Sequence, residues 1–167
     1  MSRLERLAPL KFHDWSVVLG TWFWSGLIRP APGTFGSAAA LPFAAAIALA
    51  WSPVMLLPAA FLLFLIGWAA AARIVHVTGV EDSQSIVIDE VVGIFVTLSL
   101  VPVRPLSYAI GFLAFRVFDI IKPFPVGLAD RHIGGGFGVM LDDVLAAIYA
   151  LGMTMVIWHF IPEGWRR

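Results

Sequence analysis

The chain has no cysteine, so disulfides, thiolate metal sites and cysteine nucleophiles are excluded together. Charge is scarce: 13% of residues are Asp, Glu, Lys or Arg, where about a quarter is usual for soluble domains. Eleven basic residues balance eleven acidic ones, which leaves no electrostatic case for nucleic acid. No paired-Asp DxDx[TV] nucleophile motif and no G-x-S-x-G elbow occurs. The glycine-containing stretch PGTFGS lacks the lysine of a Walker loop. Internal repeats, low-complexity tracts and linkers are also missing. The first fifteen residues hold no clean apolar run with a small-residue cleavage site, so no cleaved signal peptide is expected.

Apolar residues are abundant. They make up 60% of the 167 positions, and the mean hydropathy is +0.90. A soluble domain of this size could not hide so much apolar surface. The expected fold is therefore all-α: an integral membrane bundle of about four to five apolar helices with short interfacial helices. One membrane-embedded domain covers residues 1–167. Trp15 to Ile28 is aromatic and too short to cross, so it reads as a helix at the headgroups. Its tryptophans are candidates for one wall of a lipid entrance. RPAPGTFGS (29–37) reads as a break, with Ser37 capping a helix over 38–51. That helix either crosses with a tilt or re-enters. Further helices are expected over 54–77, 86–101, 106–121 and 139–161, with a flexible loop over 134–138.

Placing the basic loop 122–138 inside fixes the rest. Eight of the eleven Lys and Arg then lie on the cytoplasmic side, all but Arg104, Arg166 and Arg167. Ten of the eleven acids fall on that side too, all but Glu163, although the rule does not use them. Charged residues beside apolar spans are costly and usually functional.

Three groups could do chemistry at that face. Asp142 and Asp143 read either as metal ligands or as caps complementing a helix dipole. Asp89 and Glu90 read as a second acidic pair or as a solvated helix start. Arg116, Asp119 and Lys122 are spaced three apart and share one helix face. They form a salt-bridge ladder, or Asp119 binds metal while the two cations hold phosphate oxygens. Asp130 and Arg131 taken alone are ordinary loop charges. PGTFGS resembles a phosphate-cradling turn in kind, though a plain turn and cap explains it equally. Hard oxygen ligands without sulfur point to Mg²⁺. His132 has no spaced partners for a zinc site. The remaining chemistry is metal-assisted attack on a phosphoryl group, by water or by one of these carboxylates, with one Asp or Glu as base. A small transporter or channel subunit, with the clustered acids as an ion pathway, is the competing reading. A CDP-alcohol phosphotransferase is excluded because its acidic signature is missing.

The ordered set RPAPGTFGS, IVIDEVVG and FRVFDIIKPFPVGLADRHIGGGFGVMLDDVLA resembles the bacterial phosphatidylglycerophosphatase A family. The resemblance runs from about Trp15 to the last helix. It implies a helical, Mg²⁺-dependent, multi-pass enzyme of the bacterial inner membrane with its site facing the cytoplasm. Its substrate would be phosphatidylglycerophosphate, and its products phosphatidylglycerol and inorganic phosphate. By motif position it marks Asp89, Glu90, Asp119, Lys122, Asp130, Asp142 and Asp143, with Arg116 and the Thr34–Ser37 stretch as phosphate contacts. Among these, Asp89, Asp119 and Asp143 are assigned to catalysis. Glu90, Asp130, Asp142 and Asp143 are assigned to metal, and Thr34, Ser37, Arg116, Lys122 and Arg131 to the substrate.

Overall fold

Small residues decide how the helices meet, and large ones face outward. The computed structural model describes residues 7, 9–80, 83–128 and 133–165. Among the described residues the main helices follow in order: α1 (Trp15–Gly20), α2 (Pro32–Ala50), α3 (Leu56–Thr78), α4 (Ile88–Leu98), α5 (Pro105–Ile121) and α6 (Gly135–Phe160). Short 3-10 turns occupy Ser25–Leu27, Pro53–Met55 and Glu163–Trp165, and no strand occurs among the described residues. On α2 the buried stripe is Ala40, Ala44 and Ala48; on α6 it is Ala146, Ala147, Ala150 and Thr154. Meanwhile Leu49, Trp51, Phe61 and Phe160 are 73%, 74%, 63% and 78% exposed. This inverted pattern is stable in lipid, where helices associate by close small-residue packing. Among the described residues three helical segments, Pro32–Ala50, Pro53–Thr78 and Gly135–Phe160, are long and apolar enough to cross a membrane.

α4 is the hub. Its eleven residues, about 16 Å long, contact α2, α3, α5 and α6. Gly93 admits the Phe115 ring of α5, and a Cβ there would overlap it. The helices alternate in direction. One end of the bundle therefore gathers the starts of α2, α4 and α6 with the ends of α3 and α5.

Several boundaries differ from the expected ones, for physical reasons. α2 begins at Pro32, a residue suited to the first helical position because its missing N–H costs nothing there. Ser37 is thus a buried residue inside the helix, and the cap position, Ala31, makes no side-chain bond. The 38–51 helix becomes a 19-residue one, about 28 Å long. Trp15–Ile28 is not one helix, because Trp22, Phe23 and Trp24 all adopt positive φ (44°, 53° and 66°). Trp22 is buried against Phe43, so it cannot line a lipid entrance. Gly135–Gly138 is not a loop but the first turn of α6. Gly136 is required there, since a Cβ would stand 2.6 Å from the Ala72 amide of α3.

Candidate functional site

A cavity of about 550 Å³ opens at the gathered end of the bundle. The first turns of α2, α4 and α6 border it through Pro32 and Gly33, Asp89 and Glu90, and Gly135. Three positive helix ends therefore point toward one volume, a setting that favours an anion. The α3–α4 connection adds Ser83, Gln84 and Ile86 to the wall.

The cavity also collects five acids: Asp89 and Glu90 from α4, Asp119 from α5, and Asp142 and Asp143 from α6. Among the described residues two cations join them, Arg116 from α5 and Lys122 just beyond it, so carboxylates there outnumber cations by three. Three of the acids hold the two cations. Arg116 Nη1 pairs with Asp119 Oδ2 at 2.7 Å and with Glu90 Oε1 at 3.1 Å. Lys122 Nζ pairs with Asp142 Oδ2 at 2.6 Å. Asp89 and Asp143 have no salt-bridge partner among the described residues. Asp89 Oδ1 accepts the Glu90 N–H at 2.9 Å. Burial pushes the Asp89 carboxyl well up, and the neighbouring Glu90 charge adds to this. Burial also raises Glu90, against the pull of Arg116.

The helix register explains the gathering. Asp142 and Asp143 lie two turns inside α6 and are buried, so capping does not account for them. Lys122 terminates α5 in the left-handed region (φ 46°), which turns the chain while its side chain reaches α6. Glu90 needs the two glycines of PGTFG. A Cβ at Gly33 would overlap Glu90 Oε1, and one at Gly36 would lie 2.9 Å from Oε2.

Of the residues singled out in the sequence, Asp89, Glu90, Arg116, Asp119, Lys122, Asp142 and Asp143 are brought to one cavity. Thr34 and Ser37 are placed differently. The α2 wall is made by Pro32 and Gly33, while Ser37 Oγ sits 3.4 Å from Arg116 Nη1 behind it. Asp130 and Arg131 lie outside the described residues, as does His132. The role of Gly33 and Gly36 as seats for Glu90 was not readable from sequence; their spacing beside prolines signalled a phosphate-cradling turn or a plain turn and cap.

The donor set suits a hard divalent cation: oxygen only, with Glu90 Oε2 and Asp143 Oδ2 buried and without a hydrogen-bond partner. Among the described residues no three Asp, Glu or His side chains already form a cluster able to hold an ion. The carboxylates are spread around the cavity, three of them held by Arg116 and Lys122.

Residues 18–158 match the profile of the family described as Phosphatidylglycerophosphatase A. A Phosphatidylglycerophosphatase A of Haemophilus influenzae is 39% identical over 145 residues, covering 86% of this chain and 89% of the relative. A Phosphatidylglycerophosphatase A of Escherichia coli is 36% identical over 154 residues, covering 88% and 86%. No solved structure matches the chain significantly.

Proposed function

The chain belongs to the phosphatidylglycerophosphatase A family, and from that membership we propose a phosphoric monoester hydrolase acting on phosphatidylglycerophosphate. Its products are phosphatidylglycerol and inorganic phosphate, and its cofactor is Mg²⁺. The observation that carries the cofactor is the excess of three carboxylates among the described residues of a cavity that must admit phosphate. An anionic substrate is repelled from such a wall unless a cation offsets it. Glu90 and Asp143, each with a buried oxygen free of hydrogen bonds, would hold the ion. The bound metal would neutralise charge developing on the phosphoryl group.

The remaining roles fall to the chain's own residues. Arg116 and Lys122 orient phosphate oxygens. Asp89, which has no cation partner, takes a proton from the attacking water. The water oxygen bonds to phosphorus, the bond from phosphorus to the glycerol oxygen breaks, and the proton returns to that oxygen. The bundle sits in the bacterial inner membrane with the cavity toward the cytoplasm, so the acyl chains stay in the leaflet while the headgroup reaches the helix ends. A site at mid-bilayer would have to drag phosphates into hydrocarbon, at prohibitive cost. The ion-pathway reading is not favoured, because the acids gather at one end, and the helix contacts around Gly111 at the other are made by Leu98, Thr97 and Thr154 with no ionised side chain.

The test is phosphate release from phosphatidylglycerophosphate by purified protein in detergent. EDTA should abolish release and added Mg²⁺ restore it. Undiminished release after chelation would remove the metal; no release under any condition would remove the activity.

A further inference from the structure

The two cations among the described residues of the cavity sit in different surroundings. Arg116 is held on the α2–α4 side, by Glu90 and Ser37, and its side chain is 16% exposed. Lys122 is held on the α6 side, by Asp142, and is 29% exposed. Lys122 also stands where the apolar outer face of α5 ends. Leu113, Val117 and Ile120 recur at helical spacing and are 61%, 49% and 71% exposed. Ile121 and Phe124, on either side of Lys122, are 67% and 80% exposed. Tyr149 Oη donates to the Phe124 carbonyl at 3.0 Å, which ties this ledge to α6. A lipid-facing stripe thus runs along α5 and meets the charged cavity at one lysine.

We propose that Lys122 binds the inner phosphate of the substrate, the phosphodiester next to the acyl chains, while those chains lie on the Ile120–Ile121–Phe124 ledge. The terminal phosphomonoester then passes Lys122 to the Arg116 side. This rests on the substrate proposed above and adds which cation reads which phosphate. The physical reason is continuity. The phosphate nearest the hydrocarbon must be held where the cavity meets hydrocarbon-facing side chains, and the more exposed cation is there. A lipid with a single phosphomonoester directly on its diacylglycerol would be stopped at Lys122, short of the deeper acids.

The test is equilibrium binding by calorimetry, with the whole protein in detergent and Mg²⁺. Dioctanoyl phosphatidylglycerol carries the phosphodiester without the terminal phosphate; inorganic phosphate reports the terminal position. Lys122→Gln should weaken phosphatidylglycerol about tenfold, the scale of one charge-assisted hydrogen bond. Phosphate affinity should change less than about twofold, and Lys122→Arg should restore the lipid. Equal losses for both ligands, or a larger loss for phosphate, would overturn the assignment. Phe124→Ser disturbs neither the ion pair nor the core. It should weaken dioctanoyl phosphatidylglycerol several-fold and leave glycerophosphoglycerol, the same phosphodiester without chains, unchanged. Unaltered lipid binding in that variant would remove the ledge. Neither measurement requires turnover, so its failure is distinct from failure of the phosphate-release assay.

Discussion

α5 meets its neighbours in two ways along its length. Away from the cavity, Gly111 receives Leu98, and a Cβ there would stand 2.6 Å from Leu98 Cδ2. Thr97 and Thr154 close the contact, and nothing ionised takes part. At the cavity, the same helix meets α2 and α4 through Arg116, whose Nη1 serves two carboxylates and lies near Ser37. The first contact is dispersion between small groups, individually weak and numerous. The second keeps charges out of water, where pairing at best offsets desolvation. The far end therefore supplies stability, and the cavity end spends part of it on holding groups ready for chemistry.

That contrast is sharpest at Asp143, a buried acid without a cation. Asp143→Asn should lower phosphate release by about a thousandfold or more, within the range for loss of an electrostatic or acid–base group. Its unfolding temperature should not fall, since an amide of the same shape replaces a buried carboxyl that has no cation partner among the described residues. A variant that unfolds earlier would show that Asp143 is structural. Next comes Arg116→Met, which strands Glu90 and Asp119. It should cost about 3–5 kcal/mol of stability as well as activity, read from detergent unfolding and phosphate release together. Retained stability would mean the acids tolerate one another without the guanidinium. At the far end, Gly111→Ala should cost about 1–3 kcal/mol by overpacking against Leu98 and leave KM and kcat within about twofold. A large kinetic change there would break the division between the ends.

The smallest effect is expected at Asp14. It caps α1 by accepting the Ser16 N–H at 3.0 Å and pairs with Arg73 at 3.0 Å. The Arg73 hydrogen bond holds its carboxyl down, to about 2. A depressed carboxyl stabilises above its unfolded pKa, near 3.9, and loses that contribution as pH falls from there toward 2. Asp14→Asn should therefore lower the unfolding midpoint by about 2 °C or less at neutral pH, because exposed pairs contribute little. The difference from wild type should shrink as pH falls through 2 and vanish below it. A pH-independent difference would assign the effect to the cap rather than to the ion pair.

Helices and charges were legible because each stands out against its background. In a chain this apolar, Asp89, Asp119 and Asp142–Asp143 had few places to go, and they meet at one end of the bundle. What could not be read was tertiary in origin. Gly33 and Gly36 look like a loop until Glu90 is seen against them, and Gly136 until the Ala72 backbone is seen beside it. Pro32 did carry a helix-start signal, which the flanking glycines obscured. No residue pattern announces three consecutive left-handed aromatics at Trp22–Trp24, a conformation that costs energy and is held by its surroundings.

Asp143 lies eight residues past the start of α6, about 12 Å down that helix. In the membrane placement proposed above, a hydrolase that needs solvent wherever it cuts would carry water from the helix ends down to Asp143. The lipid would then not have to be lifted out for its phosphate to be removed: hydration would descend to meet it.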